Sequence, residues 1–145
     1  MHEIIAQKNI QAPLAMLWAL VEDFSNLDWY SPATKVEKIA SSNKDRSGEI
    51  RRIHMANMPE PVDEVLDRID SDNHSIFYHI PGTPMANYQV CVSLTDDPNG
   101  GVNAKWHASF TEITMDGLTP EMMISMMEDT YSNMLEEITH AVQAG

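Results

Sequence analysis

Arg51 and Glu64 carry the most chemical potential in this chain of 145 residues. They lie in successive strand-like runs, residues 49–56 and 62–70, which an antiparallel pairing would bring side by side. If both point inward, burial is costly unless they pair with each other or with a ligand. A buried Arg–Glu pair can orient a carbonyl or a phenol, and Glu64 can act as a general acid or base where burial raises its pKa. On an outer face the same residues are an ordinary solvated ion pair. Alternation does not choose: Val62, Glu64 and Leu66 suit one face, Val65 and Ile69 the other, and a bulge near Asp67-Arg68 would reconcile them. Tyr78 and Tyr88 are the other polar candidates for catalysis or binding.

The remaining reactive side chains offer less. Cys91 alternates with Val90 and Val92, which places it on the outer face, and no sequence neighbour would lower its pKa. His54, His74, His79 and His107 are scattered over four strands or turns without the spacing of a zinc site, so no metal is expected. Asp70-x-Asp72 begins like a calcium loop, but Ser75 and Pro81 occupy the positions that need Gly and Glu. There is no glycine-rich phosphate loop and no G-x-S-x-G elbow, so no nucleotide cofactor and no hydrolase mechanism is expected.

The elements that must position these residues follow from periodicity. Residues 3–10 read as a strand. Pro13 suits the first position of a helix over 14–24, where Leu14, Leu17, Trp18, Leu20, Val21 and Phe24 form an apolar stripe. Ser25 is placed to cap a short second helix through Leu27, Trp29 and Tyr30, with Pro32 ending it. Strands are predicted over 34–40, 49–56, 62–70, 75–80, 86–95 and 102–114, separated by turns rich in Ser, Asn, Asp, Pro and Gly. Thr119 caps a final helix with Pro120 at its first position. Met123, Met127, Tyr131, Met134, Ile138 and Val142 recur along it at steps of three and four. At about 24 residues that helix spans roughly 35 Å, enough to cross a small sheet. Six strands in succession on short loops must be mostly antiparallel, and one face needs cover, for which the helix is available. The class is α+β and the whole of 1–145 reads as one domain.

The same alternation sets a candidate lining. Val102, Ala104, Trp106, Ala108 and Phe110 share one strand face, and Tyr88, Val90, Val92 and Leu94 another. Small Ala104 and Ala108 beside Trp106 leave room under a helix, so a cavity lined by Trp and Tyr competes with a solid aromatic core. Six of the eleven methionines lie between Met115 and Met134. Met suits surfaces that accept variable apolar shapes, although filling the helix core explains much of this enrichment. Met122 and Met126 sit off the main stripe, at a pocket mouth or a homodimer contact.

The order strand, two helices, six strands, long helix resembles the START-like (SRPBCC) superfamily. So do several motifs: Leu17-Trp18-Ala19-Leu20-Val21-Glu22-Asp23-Phe24 followed by Trp29 and Pro32, Gly48-Glu49-Ile50-Arg51, and Val62-Asp63-Glu64-Val65-Leu66. Pro84, Asn87-Tyr88 and Trp106-x-Ala108-x-Phe110 resemble its polyketide cyclase/dehydrase and lipid-transport-like branch. The resemblance implies a helix-grip fold: a curved seven-stranded antiparallel sheet around the C-terminal helix, with two short helices after the first strand. It implies an internal pocket for a small hydrophobic or aromatic molecule, lined by Trp29, Arg51, Glu64, Tyr78, Tyr88, Trp106, Phe110, Met123 and Met127. The superfamily also holds cyclase/aromatase enzymes, in which Glu64 and Arg51 would be the catalytic candidates, and protein-partner-binding modules.

Charge narrows the partners. The formal net charge is -13, with 22 acidic against nine basic residues, so a nucleic-acid backbone or an anionic membrane surface would be repelled. Solubility accounts for an acidic surface, which can also serve a basic partner. One cysteine, no signal-peptide pattern and no run of 18 apolar residues lead to the expectation of a cytoplasmic protein without a membrane span.

Overall fold

The computed structural model describes residues 1–144. Its elements are β1 (His2–Ile10), α1 (Leu14–Glu22), β2 (Ala33–Ile39), β3 (Ile50–Met55), β4 (Val62–Asp70), β5 (Ser75–His79), β6 (Met85–Ala86), β7 (Gln89–Asp96), β8 (Val102–Phe110), β9 (Glu112–Ile113) and α2 (Pro120–Ala144). Seven strands form one sheet in the order β1-β8-β7-β5-β4-β3-β2, and every neighbouring pair is antiparallel. Consecutive strands pair because their loops are too short for a crossover, while β1 closes the far edge against β8. α2 runs along the inner face closest to β1, where Lys8 Nζ meets Glu136 Oε1 at 2.8 Å. This is the α+β helix-grip arrangement.

Burial follows the predicted alternation. Val102, Ala104, Trp106, Ala108 and Phe110 of β8 are all buried, as are Tyr88, Val90, Val92 and Leu94 along β7, and α2 covers them with Met123, Tyr131, Met134, Leu135, Ile138 and Val142. The cap of α2 is as expected: Thr119 Oγ1 accepts from the Met122 N–H at 3.1 Å. The register of β4 against β5 shifts between Leu66 and Arg68, so Asp67 is the extra residue. That bulge lets Glu64, Leu66 and Ile69 share the inner face despite their uneven spacing.

Two expectations about elements need correction. Only one short helix follows β1. Residues 23–32 instead form a chain of tight turns, with Tyr30 N–H donating to Leu27 O (2.9 Å) and Ala33 N–H to Tyr30 O (3.1 Å). Asn26 diverts the backbone by accepting from Asp28 N–H, and the Ser25 hydroxyl donates to Glu49 Oε2 at 2.7 Å instead of capping a helix. The single runs predicted over 86–95 and 102–114 are each broken near one end. Asn87 adopts a φ of 57°, a left-handed conformation that Asn tolerates better than most residues, and β6 then peels away to pair with β9 as a separate ribbon. Among the described residues, no helix is long and apolar enough to cross a membrane.

Candidate functional site

The interior polar cluster is built on the β3–β4 register, which sets Arg51 directly opposite Glu64. Arg51 is 4% exposed and Glu64 12%, so the pair faces inward. Arg51 Nε donates to Glu64 Oε1 at 2.6 Å, Nη2 lies equally close to the same oxygen, and Nη1 donates to the Phe24 carbonyl at 2.9 Å. The guanidinium carbon lies 4.1 Å from the Phe24 ring centroid and 4.8 Å from that of Tyr78. A planar cation between two aromatic faces, neutralised by one carboxylate, is a stable way to keep charge inside a core.

The hydroxyls around it are deeply placed. Burial pushes the Tyr78 phenol above its ordinary range and the Glu64 charge adds to this, while Arg51 and the nearby Trp106 oppose it. Burial likewise raises Tyr88, whose hydroxyl bonds that of Tyr131 on α2. Tyr30 is raised by burial against a hydrogen bond from Asn133, with Glu137 and Glu64 adding to the rise. These phenols therefore stay protonated at neutral pH, as donors. Among the described residues, the indole Nε1 atoms of Trp29 and Trp106 are buried without a hydrogen-bond partner. Trp106 lies near enough to the Tyr78 hydroxyl to influence it but makes no bond of normal geometry with it. Buried donors left unpaired are uncommon, and each calls for a specific explanation.

The fold that carries this cluster has counterparts. The family described as polyketide cyclase / dehydrase and lipid transport matches residues 1–143. The chain belongs to that family. Several solved structures share its fold: the XoxI protein from Bacillus cereus (17% identity, TM-score 0.81, 99% of this chain and 96% of that one), and a protein from Thermobifida fusca (20% identity, TM-score 0.80, 98% and 93%). A Nitrosospira multiformis protein is similar too, at 15% identity and a TM-score of 0.78 over 97% and 96%. At these identities the likeness is one of fold.

Within the family fold, the predicted lining residues divide. Arg51, Glu64 and Tyr78 meet. Tyr88 joins α2 through Tyr131, and the Trp29 ring lies tilted against Tyr30 with centroids 5.9 Å apart. Phe110 stacks on His2 at 5.0 Å. Met123 is buried and Met127 half-buried on α2. Phe24 and Tyr131 were missed as site residues. Both lie on apolar stripes and read as plain core, and nothing local marks a backbone carbonyl as the third partner of Arg51.

The residues expected to leave room under α2 are closely packed. Ala104 (0%) and Ala108 (1%) are as free of solvent as Trp106 (2%), so no water-sized gap opens beside them. A cavity of about 1060 Å³, open to solvent, lies elsewhere, and no residue of α2 lines it. It is bordered by successive residues of β5, β7 and β8 and by the β5–β6 loop. Phe77, His79, Cys91 and His107 along it are half-buried, and their inner neighbours are buried, so it opens on the face opposite the helix. Tyr78 and Tyr88 are the predicted residues that border it. Cys91 occupies this outer face as expected. Burial holds its thiol above the ordinary value, against the charges of Arg68 and Lys105, so it is protonated at neutral pH. Among the described residues, no group of three or more His, Cys, Asp or Glu is arranged to hold a metal ion.

Proposed function

We propose that this protein binds a small hydrophobic or aromatic molecule bearing oxygen acceptors, between the sheet and the C-terminal helix at the Arg51–Glu64 cluster. The observation that carries the reading is the surplus of buried donors. Trp29 and Trp106 each hold an indole N–H without an acceptor in an interior that already contains a caged guanidinium. A phenol or carbonyl oxygen on a flat ring system would satisfy such donors, and its rings would replace aromatic packing with aromatic packing. Entry requires side chains of α2 to move, which the flexible Met123 and Met127 allow at modest cost.

The test is titration of the protein with oxygenated polycyclic aromatics and with their parent hydrocarbons, followed by melting temperature and the indole N–H resonances. The oxygenated compounds are expected to raise the melting temperature and to move the Trp29 and Trp106 signals, leaving Trp18 on α1 little changed. No shift with any compound, or shifts of equal size with the bare hydrocarbons, would overturn the reading. Cyclase-type chemistry is the second reading. It draws on Glu64, whose carboxylate keeps an exposed edge beside the pair and so stays within reach of an incoming ligand.

A further inference from the structure

The first half of α2 presents an apolar surface that the core does not use. Met122 and Met126 are 50% and 56% exposed, and Met115 in the preceding turn is 57% exposed. Met122 and Met126 are four apart on one helix, so they lie one above the other on the same face, to one side of the buried Met123 and Tyr131 stripe. The surroundings are acidic. Asp116, Glu121, Glu128 and Asp129 are all exposed, and Lys105 is the last Lys or Arg in the chain. An adaptable thioether stripe flanked by carboxylates is complementary to one kind of surface: apolar along a line and cationic beside it.

We propose that this face of α2, with the turn before it, docks a basic amphipathic helix of a partner protein. The partner's apolar residues at helical spacing lie on Met122 and Met126, and its Lys and Arg residues reach the acidic rim. A second copy of this chain is a poor occupant, because the same face would bring carboxylates against carboxylates. An anionic membrane is repelled for the same reason.

The probe is a synthetic amphipathic peptide with leucine on one face and lysine on the other, measured by fluorescence anisotropy at low and at high salt. Binding is expected, weakening with salt. The double variant Met122→Ser, Met126→Ser should bind at least about tenfold more weakly. Both side chains are half-exposed, so that variant should keep the parent melting transition. In the unaltered protein the Met115, Met122 and Met126 methyl resonances should shift with peptide while buried Met85 and Met134 stay in place, a readout independent of any variant's folding. Several outcomes overturn the proposal. One is equal binding of a peptide with the same composition in shuffled order, which shows charge attraction alone. Another is affinity unchanged in the double variant. A third is self-association, or adsorption to phosphatidylglycerol vesicles, that disappears in the double variant, which assigns the face to a second copy or to lipid.

Discussion

Arg51 is held at once by a carboxylate, a backbone carbonyl and two ring faces. Each contact matters because the charge has lost water and has nothing else to stabilise it. Removing Arg51 strands Glu64 in a nearly dry site, so Arg51→Met should destabilise by about 3–5 kcal/mol in urea melts. Replacing both, Arg51→Met with Glu64→Leu, should recover most of that loss, because a well-packed apolar pair removes the desolvation cost as well as the attraction. A single-variant cost below about 1 kcal/mol is what an exposed pair would give and would contradict the burial described. The pair was legible in the sequence as a pair. Its direction was not, since Val62–Leu66 and Val65–Ile69 favour opposite faces until Asp67 is absorbed as a bulge.

At the scale of elements, the loop between β2 and β3 shows what periodicity misses. Ser41–Gly48 reads as a polar surface turn, yet it is latched to the end of α1. Arg46 Nη1 donates to the Glu22 carbonyl at 3.1 Å, and Arg46 Nε donates to Glu49 Oε1 at 3.0 Å. Glu49 is 2% exposed. Burial works to raise its carboxyl, but the hydrogen bonds from Arg46 and Ser25 and the charges of Arg46 and Lys38 together outweigh it and leave it below the ordinary carboxylate range. A depressed folded-state value stabilises the protein fully above the unfolded value, near pH ~4.3, and that contribution is lost as pH falls through the folded value. Urea midpoints of Glu49→Gln should therefore fall below those of the parent near neutral pH, and the gap should narrow on acidification. A gap that widened instead would reverse the sign of the shift. The same residue explains the missing second helix: Ser25, a good cap by type, is engaged by Glu49, which only the tertiary fold brings to it.

For the whole molecule the dominant long-range term is the net charge of -13. Most of those carboxylates are exposed and repel one another, which disfavours the compact state. Salt screens exposed charges over about 10 Å at 0.1 M and leaves buried pairs such as Arg51–Glu64 largely untouched. The melting temperature should therefore rise as sodium chloride is added from low ionic strength, followed by circular dichroism. A steady fall would mean that surface ion pairs such as Lys8–Glu136 outweigh the repulsion.

The sequence alone determined the chain order of the seven main-sheet strands, the cap and length of the final helix, and the inner faces of β7 and β8, because each rests on local periodicity and turn chemistry. It also paired Arg51 with Glu64. Tertiary structure alone decided that this pair is caged by Phe24 and Tyr78, that Ala104 and Ala108 leave no gap beside Trp106, and that a cavity of about 1060 Å³ opens on the opposite face. Those outcomes depend on how side chains from segments distant in sequence share one volume. Alternation reports which way a side chain points, not how much room it finds there.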